Sequence, residues 1–283
     1  MTARALLLCC LLCAASSAAA QEPPPPAPPP KPAWPELPAA EAETAKLRLR
    51  RLGAAEAEVA AAAEAELVAM GAGVAPLLLG QLGNRRPTAP EALRRILHRV
   101  VEPVHAPLVA ERADSKAPLL REWSVEFLAL QHDGRWREVL ARAFEAEDRE
   151  LRFRAALGLT ALGDQDALAT VFAQCQEQEW RDHAELVQRA LAPARSSEMA
   201  EWLVRHMPRD DERARITGLR LMRALAPKEY AGVVATYLDA EQHAVKKEAI
   251  NTLRAVVDGA APLENLSVFQ AIDQAKKWKE RIR

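Results

Sequence analysis

The residues of this sequence that could do chemistry are six histidines, one cysteine beyond the first twenty residues, and many carboxylates. A helical zinc hydrolase site needs two imidazoles four residues apart on one face, with a glutamate between them as base. His98, His105, His132, His183, His206 and His243 contain no such pair, and none is followed by Glu. His132-Asp133 comes nearest, and its place ahead of Gly134 reads as a helix end. Cys175 shares a helical stripe with Leu168, Val171 and Phe172, which predicts a buried small hydrophobe rather than a thiolate nucleophile. Glu56, Glu58, Glu64 and Glu66 occupy an alanine-rich run and read as its solvated face. There is no nucleophile elbow and no glycine-rich phosphate loop. The expectation is therefore no catalytic residue, no cofactor and no metal.

The elements that carry these residues are helices. Ala, Leu, Glu and Arg abound, and aromatic residues make up 5% of the chain. Such side chains lose little freedom in a helix, whereas strands favour β-branched and aromatic residues. Longer helices are predicted to begin near Glu56, Pro90, Lys116, Arg149, Arg181, Glu212 and Gln242. Each is followed by a shorter one, near Val74, Val104, Gly134, Asp164, Ser196, Pro227 and Pro262. A two-helix unit recurring about every 30 residues is the signature of an α-solenoid, in which each unit buries its apolar face on its neighbours.

The units also align side chain by side chain. Leu151-Arg152-Phe153-Arg154-Ala155-Ala156, Ala214-Arg215-Ile216-Thr217-Gly218-Leu219, Val245-Lys246-Lys247-Glu248-Ala249-Ile250 and Leu120-Arg121-Glu122-Trp123-Ser124-Val125 share one form: apolar, basic, two variable, small, apolar. The small residue, four positions after the first, faces the same side and lets a neighbouring helix come close. Glycine costs about 1 kcal/mol against alanine within a helix, so Gly218 predicts a place where space decides the residue. The basic residue lies off the apolar stripe, in reach of a carboxylate on the adjoining unit.

Leu151–Ala156 with Gly163-Asp164, and Glu64–Gly71 with Ala75-Pro76-Leu77-Leu78, resemble HEAT repeats of the bacterial type found in phycobilisome lyases. The resemblance covers roughly residues 54 to 256. It is weak near Leu97 and Val187, where the basic slot is lost. It implies an all-α fold, a right-handed superhelix of about seven antiparallel helix pairs. Some enzymes of this kind carry His-Glu pairs on successive repeats, which this sequence lacks.

The N-terminal region has a different composition. Arg4, the apolar run Leu6 to Leu12 and Ala18-Ala19-Ala20 form the pattern of a secretory signal peptide over 1–20, with Gln21 as the mature start. An uncleaved or lipidated N-terminal anchor is the alternative. Residues 21–40 hold ten prolines and predict a disordered spacer. The folded part is expected over 41–283. Cleavage would leave Cys175 as the only cysteine, so the exported domain would rely on its packed core.

The function that fits is a periplasmic or secreted protein-binding scaffold. A HEAT-like lyase or other enzyme subunit is the first alternative, and a nucleic-acid-binding HEAT-like protein the second. With 38 Lys and Arg against 39 Asp and Glu, the charge balance does not suggest a nucleic-acid partner. The expected partner surface is the second helices of the central pairs. There Trp136, Val139, Leu140, Leu168, Val171, Phe172, Met199, Trp202 and Leu203 face inward. Arg137, Arg142, Gln174, Glu177, Glu201 and Arg205 would then point out on neighbouring ridges. The run Lys276, Lys277, Trp278, Lys279, Arg281 and Arg283 complements a helix C-terminus and could also touch an anionic membrane.

Overall fold

A computed structural model describes residues 32–177, 180–208 and 210–282, apart from the side chain of Glu177. The expected leader and the first seven prolines of the expected spacer lie outside these residues, which begin at Pro32. Among the described residues the fold is all-α, with no strand. A first helix, α1 (Ala39–Arg51), precedes seven pairs: α2 (Ala57–Ala69) with α3 (Ala75–Leu82), α4 (Pro90–Val100) with α5 (Ala106–Ala110), α6 (Pro118–Ala129) with α7 (Arg137–Phe144), α8 (Arg149–Ala161) with α9 (Gln165–Glu177), α10 (Trp180–Leu191) with α11 (Ser197–Arg205), α12 (Glu212–Leu225) with α13 (Ala231–Ala235), and α14 (His243–Asp258) with α15 (Val268–Ile282).

Local chemistry sets the boundaries. Asp148, Ser196 and Asp211 cap α8, α11 and α12 by accepting from the backbone N–H three residues on, at 3.0, 3.3 and 2.8 Å. Pro76, Pro90 and Pro118 sit in first turns, where no N–H is missed. Gly259 closes α14 with φ +64°, a left-handed cap. The first helices start within two residues of their predicted positions. The last second helix does not: α15 begins at Val268 rather than near Pro262. Asn251 explains this, because its amide accepts from the Leu263 N–H at 2.7 Å and donates to the Leu263 carbonyl at 3.3 Å. Those two bonds hold the chain along α14 instead of letting it coil.

The described end of the expected spacer groups with the helices in one compact unit from Pro32 onward. The Trp34 ring stacks on His105 with centroids 4.8 Å apart, and Leu37 packs against the core beside Gly73. A polyproline-type chain repeats every three residues, which puts 34 and 37 on one side. Two apolar side chains in that register turn a proline-rich segment into a strap.

Each first helix packs on the next, from α2 on α4 through to α12 on α14. Second helices lean on neighbouring first helices instead; α9 touches α12 as well as α10. Ser124, Ala155 and Ala249 are fully buried where these helices meet. Two helical glycines, Gly158 and Gly218, lie close against neighbouring residues. A Cβ on Gly218 would lie 2.1 Å from Met207 Sδ, and one on Gly158 would lie 2.8 and 2.9 Å from Cβ and Cα of Ala129. No single described helix is long and apolar enough to cross a membrane; α2 with the following Gly71–Leu82 passes only as a pair bent by 114°.

Gly158→Ala should therefore lower the stability measured by urea unfolding by about 1–3 kcal/mol, although alanine is the better helix former. Gly218→Leu should cost a similar amount, and part of it should return when Met207 is also cut to alanine. Wild-type stability in both single variants would mean that the helices do not approach so closely.

Candidate functional site

The histidines are absorbed by the fold. His98 meets Glu126 at 2.9 Å, His132 and His243 bond the carbonyls of Ala190 and Leu266, and His206 bonds the carbonyl of Trp202 while stacking on its ring. His183 packs edge-on against Phe153, and His105 carries the strap. Burial pushes the Cys175 thiol up to about 12, which leaves it protonated and inert. Among the described residues no three His, Cys, Asp or Glu side chains cluster as a metal would require.

On the predicted second-helix surface the inward stripes are buried or partly buried as read. Arg137, Arg142, Glu201 and Arg205 are exposed, with Arg137 donating to the Leu162 carbonyl at 2.8 Å and Arg142 to Asp114 at 3.3 Å. Gln174, expected to point outward, is buried: it accepts from Arg149 Nε at 2.8 Å and donates to Glu150 at 3.4 Å. Its position on α9 turns it toward α8, where those two polar groups need a partner. The side chain of Glu177 lies outside the described residues. Three cations of the basic C-terminus are paired within the fold. Trp278 is buried under the Arg281 guanidinium, Arg281 pairs with Asp258 at 2.8 Å, Lys277 pairs with Asp273, and Lys279 pairs with Asp239. Trp278 is thus a core residue and not a membrane contact; Arg283 is not among the described residues.

The polar chemistry of the molecule lies instead between the first helices. Arg95 of α4 bonds Glu64 of α2 at 2.8 Å. Arg94 of α4 and Arg154 of α8 converge on Glu126 of α6 at 2.8 and 3.0 Å, and Arg154 also holds Glu150 at 2.7 Å. Burial would raise the Glu126 carboxyl, but the bond to His98 and the charges of Arg94 and Arg154 outweigh it and hold the group at about 2. Glu122, 3.6 Å from Arg94, is raised by burial despite the arginines around it. Between α4 and α8, cation and carboxylate alternate across each helix contact.

That alternation stops at α10. The face of α10 that looks across to α12 carries Trp180, Ala184 and Gln188, four residues apart, and the nearby Glu185 pairs with Arg189 of its own helix. Arg220 and Arg223 of α12 share Glu248 of α14: Arg220 Nε bonds it at 3.2 Å, and Arg223 pairs with its other oxygen. The Arg223 side chain is 9% exposed, and its Nε is buried without a hydrogen-bond partner among the described residues. Burial first, and the neighbouring Arg220 charge second, bring the Arg223 guanidinium down to about 10.

These side chains line a groove of about 870 Å³ that runs from α10 across α12 to α14 and Pro262–Asn265. It holds four cations, Arg181, Arg220, Arg223 and Lys247, against Glu248 and Glu264. Trp180 forms one wall, with the Arg220 guanidinium 5.5 Å from its ring centre. A second hollow, of about 560 Å³, shares Trp180, Ala184, Arg223 and Pro262 with the first. It is lined mainly by apolar atoms of Ala255 and Gly259–Pro262, with Gln188, Arg195 and a highly exposed Glu185 at its edge. Arg195 bonds the carbonyls of Ala224 and Arg223, which fixes the end of α12 that carries the site.

Sequence reasoning missed this groove because the charges occupy slots of the repeat motif read as variable. Glu248 and Arg154 stand at the fourth position of their motifs, and Arg220 and Arg223 three apart beyond it. The basic second slot, read as the bridging one, behaves unevenly. Arg121 reaches Asp148 of the next unit at 3.6 Å, Arg152 bonds the Ala146 carbonyl, and Arg215 bonds Gln242. A helical-wheel comparison of the fourth and later slots would have shown the charges facing one side.

No family model matches the chain, and no curated protein matches it. Two crystal structures of engineered proteins are similar in shape. One aligns over 86% of this chain and 79% of its own at a TM-score of 0.42 and 16% identity. The other aligns over 78% of this chain and 99% of its own at 0.35 and 15% identity.

The α4–α8 cluster makes stability depend on acid. Glu126 has a folded pKa below its unfolded value, so its contribution is complete above about pH 4.5 and is lost as pH falls toward about 2. Glu122, with its folded pKa raised, acts in the opposite sense and returns a part. Glu126→Gln should lower stability near neutrality by about 3 kcal/mol, since it leaves buried guanidinium groups short of a partner. It should also flatten the fall in stability between about pH 5 and pH 2, as read by urea unfolding at each pH. An unchanged acid slope would show that Glu126 is not the group that titrates.

Proposed function

We propose that this chain is an exported, non-catalytic α-solenoid of HEAT-like helix pairs that binds a polypeptide partner through the groove between α10, α12 and α14. The observation that carries the reading is the cation excess of the groove, where Arg181, Arg220, Arg223 and Lys247 stand against Glu248 and Glu264. Arg220 stays partly exposed beside the Trp180 ring, where its guanidinium can meet a ligand that enters the groove. The repeating motif and the first-helix packing support the solenoid reading, since each pair buries its apolar stripe against its neighbours. The leader-like sequence at 1–20 supports export, whether into a periplasm or a medium. The titratable groups facing one another in the groove are mostly arginine and lysine, which hold their protons at neutral pH and suit binding better than general acid–base work.

Two measurements test this. The intact mass of protein recovered outside the cytoplasm should correspond to a chain starting at Gln21; an intact leader or an added lipid would establish anchoring instead. A photo-reactive phenylalanine placed at Ala184 should cross-link a protein partner in the native host, and the same group at Glu201 or Arg142 should not. Adducts from the second helices alone, or from none of these positions, would remove the groove as the binding surface.

A further inference from the structure

We infer that the occupant of this groove is an extended acidic peptide segment, with one carboxylate side chain held by Arg220 and Arg223 and a nearby apolar side chain in the hollow beside Pro262. The inference rests on the groove being the binding surface and adds the chemistry of what binds there.

Three observations select this ligand. First, the cations outnumber the carboxylates, and Arg220 stays partly exposed in the groove while Arg223 lies at the junction of the two hollows. A guanidinium fork is matched best by a planar carboxylate, and such charge-assisted bonds are the strong ones. Second, Glu248 and Glu264 stand in the same groove. They would repel a dianionic phosphate or a polyphosphate chain more than a single carboxylate. Third, the two hollows together are far larger than a lone small anion, and the second has an apolar lining. Side chains two apart on an extended peptide lie on one side, about 7 Å from each other. That spacing lets one residue meet the arginines while the next but one enters the apolar hollow. Trp180, which borders both, offers an aromatic wall along which a backbone can lie.

The test uses the full mature chain and a library of random octapeptides. Peptides retained by the protein should be enriched in Asp or Glu with Leu, Ile, Val or Phe within two positions. For a selected peptide, replacing its acidic residue by the amide should weaken binding by at least about tenfold. Arg220→Gln, which removes a partly exposed guanidinium, should weaken the original peptide to the same extent and the amide peptide little. Each variant is first checked for unchanged thermal unfolding. Because Arg223 is buried, Arg223→Met is combined with Glu248→Met, so that no buried charge is left alone. That double variant should lose the acidic preference too.

The outcomes separate the two claims. Selected peptides that lack acidic residues but still depend on Trp180 would overturn this inference and leave the groove as the binding surface. Peptides whose binding ignores every groove variant, or a library from which nothing is retained, would overturn both. A single-stranded 20-nucleotide DNA, or vesicles containing phosphatidylglycerol, bound more tightly than any peptide and lost in Arg220→Gln would assign the groove to a polyanion instead.

Discussion

Close stacking of the first helices is the constraint from which the rest of this molecule follows. When helices meet over small residues such as Ser124, Ala155, Gly158, Gly218 and Ala249, the long side chains beside those contacts lose access to water. An arginine or glutamate in such a place must be bonded by its neighbour, because a lone buried charge costs more than a fold of this size can spare. Arg94, Glu126 and Arg154 meet that demand across three successive helices. The packing and the ion pairing are therefore one arrangement. Wider spacing would hydrate the charges, and closer spacing without partners would expel them.

The same constraint explains why the site lies where it does. At α10 the series of partners is broken: the side toward α12 presents Trp180, Ala184 and Gln188, and α9 reaches past α10 to touch α12. The arginines of α12 are left with one carboxylate from α14 between them. Space appears where a partner is missing, and the space inherits the charge that the partner would have cancelled. The peptide segment from Gly259 to Ser267, pinned by Asn251, then walls the groove on its far side rather than coiling away from it. A strained or catalytic residue is not needed to make this surface distinct from the rest of the array.

At the ends of the array the exposed faces are treated differently. The strap at Trp34 and Leu37 covers part of the first pairs, using two apolar residues in a proline-rich segment. At the other end, α15 buries Trp278, and its cations pair with Asp239 and Asp258 of the preceding units. Its first two turns leave Val268, Phe269 and Ile272 exposed. Lys277, Lys279 and Arg281 of the basic C-terminal run thus pair within the fold.

Local features were legible in the sequence because they depend on near neighbours. Composition and apolar periodicity were enough for the all-helical class and for the starts of the first helices, and the small slot was enough to single out Gly218. Caps at Asp148, Ser196 and Asp211 need only three residues to act. The burial of Cys175 followed from its stripe. The groove was not legible, because it depends on which residue of α12 faces which residue of α10 and α14, some thirty positions away in either direction. Gln174 looked exposed for the same reason: its helical phase was read correctly for the apolar stripe, but its neighbours Arg149 and Glu150 come from the adjacent helix. Periodicity says which residues leave the core. Only the stacked helices decide whether water or another charge meets them there.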